Sequence, residues 1–445
     1  MRRVILGSTV LLLAAFLTIF GYGEEKGHFH YRMKVRVDPA TQKLEAEAWI
    51  QQPPSTRFYL QKGFAVRQAL ADRKEVSSHQ DSAPDNSLFA KLGTPVEIEA
   101  QSPHELYVKY GGEIREVIWK CNLIKPELVE LALYAAWFPL FQGWKEFTFE
   151  LEISLPVGFL TVTNGNLDRQ WEQDGRSFTS WKSTVQGVDM VILASPLLQK
   201  LEGKSGEKQV EVYYHKLSAG LMKSMQGRLM EAEKRLSGLY GPSQAKGALR
   251  LVYTPRTGQG YARIPLIIVS EERALSAMSE KYGKARIFRD NCHELAHFWW
   301  MFADPTTPED WINEGLAEYS AYRITEELFG RGFAKMRKGE YLQNAKLNAT
   351  SDAIAETESS SPDREVNRYD KTTLMFLEAR QRFGKAALDR IFKSLYIRFS
   401  GTHDITTALF LEEVEKQMGK VAEAFFRETL YRKNKVESPA QPASK

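Results

Sequence analysis

The sequence predicts a multidomain chain, β first and then α+β to helical: an N-terminal antiparallel β-sandwich or saddle followed by a mainly helical domain. Three observations predict it. From Phe29 to about Lys216 apolar residues recur at every second position, the period of half-buried strands. Around residue 217 the period lengthens to that of a helix, and from Ser270 onward nearly everything periodic is helical. A length of 445 residues with 43% hydrophobic content exceeds one typical compact core, so two or three domains are expected.

Taken in order, "MRRVILGSTVLLLAAFLTIFGYGEE" has two arginines, an apolar run from Val4 to Phe20 and a small-x-small pattern at Gly21-Tyr22-Gly23. Residues 1–23 read as an export signal or, uncleaved, an N-terminal anchor, which places the protein in a periplasm, outside the cell or at the outer face of a membrane. Residues 24–216 are the expected β domain. Tyr31, Met33, Val35 and Val37 alternate with basic residues, Phe147 to Leu155 alternate with polar ones, and "QQPPST", "SSHQDSAPDNS" and "TNGN" mark turns. Residues 217–433 are the second domain. It opens on an amphipathic helix carrying Met222, Met225, Leu229, Ala232, Leu236 and Leu239, stopped by Gly241-Pro242. Short strands follow at "ALRLVYT" and "IPLIIV", then helices ending in glycine at "LMFLEARQRFG", "LDRIFKSLYIRFSG" and "ALFLEEVEKQMG". The tail, 434–445, has the composition of a disordered segment.

The formal charge of +4, about +2 without Arg2 and Arg3, gives no electrostatic case for nucleic acid. Membrane attachment is expected only through the N-terminal segment, because no later stretch is apolar enough to span a bilayer. Cys121 and Cys292 are the two cysteines, in different expected domains, so a disulfide framework is not predicted.

The chemistry is concentrated in "NCHELAHFWW", residues 291–300. Helical positions i and i+4 share a face, so His293 and His297 can reach one zinc ion, while Glu294, turned by about 100°, can reach water beside it. Cys292 shares a face with Leu295 and Trp299 and points away from the histidines, as a core residue does. Downstream, "WINEGLAEYSAYRI" offers Glu314 among apolar neighbours as a third ligand. Glu318, one turn later, is either a partner that orients a ligating histidine or a surface charge.

"HELAHFWW" followed by "WINEGLAEY" resembles the zinc aminopeptidase N family, which belongs with the thermolysin-like gluzincins. In that family 18 residues separate the second histidine from the ligand glutamate; here Phe298 to Asn313 is 16. "YAAWFPLF" and "LPVGFLTVTNG" resemble the family's β domain, and "RYDKTTLMFLEARQRFG" its Y-x-K-G segment, with Thr372 in place of the glycine. The resemblance implies a thermolysin-like catalytic domain holding one Zn2+ on His293, His297 and Glu314. It implies Glu294 as general base and Tyr369 as the donor that stabilises the tetrahedral intermediate. The small C-terminal helical segment implies a less enclosed active-site opening.

One departure concerns specificity. The family's G-x-M-E-N motif carries the glutamate that binds the substrate's free amine, and registering "LIIV" on the following strand places Ala262 there, with Arg263 beside it. Ala262 offers no carboxylate, and Arg263 would repel an ammonium. The expected function is therefore hydrolysis of a peptide or protein substrate with shifted specificity, Arg263 meeting a substrate carboxylate. A conventional aminopeptidase using an acid from elsewhere, such as the β domain, and a non-catalytic zinc-containing binding module are the alternatives. His28 and His30 read as incidental, Trp299, Trp300 and Phe302 as core, and "AETESSSPDREVNR" as a loop near the cleft.

Overall fold

The computed structural model describes residues 29–80, 87–118, 121–183, 185–206, 208–347 and 352–433. The expected signal or anchor, His28 and the tail fall outside them. The first part is β-rich, as its alternation requires. In the strand His30–Asp38 every second residue from Tyr31 to Val37 is buried, and in Thr148–Pro156 Phe149, Leu151, Ile153 and Leu155 face the same core. These two strands lie side by side in an eight-stranded sheet and pair in parallel; the other described pairings of that sheet are antiparallel. Smaller sheets of four and three strands complete this part. Trp137 and Phe138, from "YAAWFPLF", are fully buried in its core, and the Trp137 indole donates to the Met190 carbonyl (3.1 Å).

The second part starts earlier than the period change suggests. Strands Gln199–Ser205 and Lys208–Tyr214, expected at the end of the β domain, belong to a five-stranded sheet with Leu249–Thr254, Leu266–Ser270 and Tyr261–Arg263. Their alternation is that of any strand and carries no information about which sheet they join; the parallel pairing of Val210–Tyr213 with Leu249–Val252 decides it.

The helix Ala219–Tyr240 buries Met222, Met225, Leu229, Ala232 and Leu236. Ser218 caps its start by accepting from the Leu221 amide, and Gly241, at φ +115°, ends it. Gly384, Gly401 and Gly419 likewise hold positive φ after helices Thr372–Phe383, Lys385–Phe399 and Thr407–Met418. One continuous core joins these helices to two that carry the candidate site, Gly283–Ala296 and Trp311–Phe329. Trp299, Trp300 and Phe302 are fully buried in it, as expected. Among the described residues no helix is long and apolar enough to cross a membrane, and both cysteines are buried and outside any disulfide.

Candidate active site and metal centre

The helix Gly283–Ala296 carries His293 and Glu294 in its last turn, with His297 as its C-terminal cap, and packs against the helix Trp311–Phe329, whose first turn holds Glu314. Asn313 ties the two together across the short connection. Its Oδ1 accepts from the Phe302 and Ala303 amides (2.8 and 3.0 Å), and its Nδ2 donates to the Ala303 carbonyl and Asp310 (2.9 and 3.0 Å). Sequence reasoning passed over Asn313, whose side chain satisfies buried backbone groups that the 16-residue interval would otherwise leave open.

Glu314 Oε2 lies 3.3 Å from His293 Nε2 and 3.5 Å from His297 Nε2, and one ligand atom from each of the three residues lies within 4.8 Å of the others. The outer ring nitrogens are engaged elsewhere: His293 Nδ1 pairs with Glu318 Oε2 (3.0 Å) and His297 Nδ1 with the Trp300 carbonyl (3.1 Å). Both acceptors lack protons, so each Nδ1 donates its hydrogen outward and each Nε2 faces the shared point, where a cation would take the place of a proton. Glu314 Oε2 is buried without an ordinary hydrogen-bond partner, which fits a cation held there by two nitrogens and one oxygen. Burial opposes charge on His293, but hydrogen bonds to Glu314 and Glu318 override it and raise its pKa to about 10. Burial likewise opposes charge on Glu314, yet the neighbouring imidazoles hold it well below the usual carboxylate range.

Glu318, left open between two roles, is fully buried and accepts from Arg289, Arg337 (3.3 Å) and the Tyr341 hydroxyl as well as His293. It orients the histidine. Three donors from two other helical turns fix this carboxylate before it touches the ring, so Glu318→Gln should weaken zinc binding about 10- to 100-fold. Competition with a chromophoric chelator would measure it; unchanged affinity would reduce Glu318 to a packing residue.

Glu294 is buried, and burial raises its pKa above the ordinary range, with the two histidines pulling the other way. A Cβ built on Gly260 would sit 2.6 Å from Glu294 Oε1, so the loop before strand Tyr261–Arg263 can approach only as glycine. Tyr369 projects from a π-helical turn, Val366–Lys371, with its ring stacked on His293 at 5.5 Å. Burial raises its pKa well above the phenol range, reinforced by the Glu314 charge. The turn is anchored by Arg368, fully buried, which donates to Asp310 (2.5 Å), the Thr307 and Thr357 carbonyls (2.9 and 3.3 Å) and Ser359 (3.1 Å). The loop "AETESSSPDREVNR" thus lies near the cleft and holds the tyrosine turn in place. His293, Glu294 and Tyr369 line one cleft of about 720 Å³.

The other two expected site residues turn away from such work. Ala262 is buried in the hydrophobic core. Arg263 donates through Nε to Asp189 (2.7 Å), whose side chain is fully buried, and through Nη1 to the Ala262 carbonyl (2.8 Å). Its charge is already matched across the junction with the β part, so the expected role, meeting a substrate carboxylate, gains no support from this geometry. Burial raises the Asp189 pKa to about 6 even against the pull of the Arg263 charge. Another buried acid of the β part, Glu130, accepts from Thr254 through Oε2 (2.9 Å), and its Oε1 faces Arg256 at 3.6 Å. His30 bonds Thr148 (2.7 Å) and plays no part in the site.

Comparison with solved structures finds the same architecture. An M1 zinc metallopeptidase from Deinococcus radiodurans, solved as a glutamate-to-alanine mutant bound to Tyr-Ser-Ala, superposes with a TM-score of 0.73 at 18% identity, covering 94% of this chain and 96% of that one. Native yeast LTA4 hydrolase gives 0.70 at 14% identity, covering 94% of this chain and 69% of that one. By sequence, mouse (Mus musculus) aminopeptidase RNPEPL1 is 23% identical over 256 residues, 54% of this chain and 34% of that protein, so the match spans about a third of the relative's length. No family model matches the sequence. The β-rich part, the helical part and their order are those of the Deinococcus enzyme over nearly the full length of both chains, and the chain has the two-domain fold of the M1 zinc metallopeptidases.

Proposed function

We propose that this chain is a zinc-dependent metallopeptidase that hydrolyses peptide bonds in a peptide or protein substrate, with a preference shifted from that of conventional aminopeptidases. The convergence of His293, His297 and Glu314, with Glu294 and Tyr369 on the same cleft, carries the reading. One bound zinc ion supplies Lewis acidity to the scissile carbonyl and acidity to water. Glu294 takes the water's proton and returns it to the leaving amine. The Tyr369 hydroxyl donates a hydrogen bond to the oxygen on which negative charge develops. The shift in preference is supported by Ala262, which is core and not acid, and by Arg263, which is tied to Asp189.

Purified protein should hydrolyse members of a diverse peptide mixture, lose that activity with a chelator and regain it with zinc. Metal analysis of His297→Ala should show zinc lost. A zinc-loaded wild type that cleaves nothing would end the peptidase reading; equal zinc in both proteins would end the ligand assignment.

A further inference from the structure

The cleft wall that carries Tyr369 also carries Glu365, one turn earlier on the same segment. Glu365 is exposed, and its hydrogen-bond partner is neutral: the Gln259 amide donates to its Oε1 at 3.1 Å. Three other carboxylates of the cleft are paired with a cation or buried. Asp290 pairs with Arg289 (2.7 Å), Glu280 pairs with Arg286 (2.7 Å), and Asp370 is buried against the Asn344 amide (3.1 Å). Glu272 adjoins Arg273 on a different element, the helix Glu271–Ala277. Arg364, the cation nearest in sequence to Glu365, donates to Asp310 (3.2 Å). Glu365 therefore brings an unmatched negative charge to the cleft within one turn of Tyr369. Gln259 adjoins Gly260, itself against Glu294, so the Gln259–Glu365 bond spans the cleft between its two catalytic walls.

We propose that Glu365 is a specificity-determining residue that binds a cationic nitrogen of the substrate, either a terminal ammonium or the side chain of a lysine or arginine beside the scissile bond. The proposal rests on the peptidase reading and names its substrate class. An arriving cation replaces the neutral Gln259 donor, and a charge-assisted bond is roughly twice as strong as the neutral one it displaces. The family's amine-binding position at Ala262 is then relieved of that task, which passes to the opposite wall.

The experiment compares zinc-loaded wild type and Glu365→Gln on four peptides: one with a free neutral N-terminal residue, its N-acetyl form, an N-acetyl peptide with lysine beside the scissile bond, and the same peptide with acetyl-lysine. The variant should raise KM about tenfold for a cationic peptide, leaving kcat, zinc content and both neutral peptides unchanged. The wild-type advantage for that cation should shrink with added salt. Loss confined to the free N-terminus identifies the terminal ammonium, and loss confined to lysine identifies the side chain. Equal KM values for wild type and variant on every peptide, or a kcat lowered on all of them, would overturn the role of Glu365 while leaving the peptidase reading intact.

Discussion

Glu294→Gln is expected to lower kcat by about 10²- to 10⁴-fold, the usual worth of a positioned general base, with zinc content and thermal midpoint at wild-type values. Glutamine keeps the shape that packs against Gly260 but cannot accept the water's proton. Among the described residues Glu294 makes no ordinary hydrogen bond that supports the surrounding structure, and its carboxylate lies beside His293 and His297 without joining their cluster with Glu314. The separation of effects is the informative part. A variant that retains zinc and activity removes Glu294 from the mechanism, whereas one that loses zinc makes it part of the metal's support.

The second large effect concerns how the Glu314 helix meets the Tyr369 turn. A Cβ on Gly315 would lie 2.1 Å from Thr372 Cγ2, and Thr372 is fully buried with its hydroxyl donating to the Asn367 carbonyl (2.8 Å). A β-branched side chain so placed has little rotamer freedom, so Gly315→Ala must push the two elements apart. Overpacking of this kind costs about 1–3 kcal/mol. Because Glu314 and Tyr369 ride on the displaced elements, zinc affinity and kcat should fall together. Thr372→Gly, which restores the glycine of the resembling motif, should recover most of both losses in the double variant. Urea denaturation and kinetics of the four proteins would measure the coupling. Additive losses would mean that the two residues do not share the contact.

Much of this was legible because it is local. Alternation placed the strands Tyr31–Val37 and Phe149–Leu155, helical spacing placed Met222 to Leu236, and the i, i+4 histidines with Glu314 pointed to the cluster that the fold brings together. The partners of those residues were not legible, since they come from far along the chain. Glu318 looks alike in sequence whether it meets water or Arg289, Arg337 and Tyr341. Arg263 reads as an available cation until Asp189, 74 positions earlier, is brought against it. Gly260 and Gly315 carry no motif that announces a neighbour at 2.6 or 2.1 Å. Glu365 sat inside a loop noted for its polarity, and only the folded cleft shows that its partner is the neutral Gln259 amide.

The two strands Gln199–Ser205 and Lys208–Tyr214 leave the molecule without a clean seam at residue 216. A cut there would strip two of five strands from the sheet beneath the helices and bare the hydrogen-bonding edge of Leu249–Thr254, an invitation to pair with other chains. The last strands of the alternating stretch of sequence are thus the floor of the helical part, and any cut that spares this sheet has to fall before Gln199.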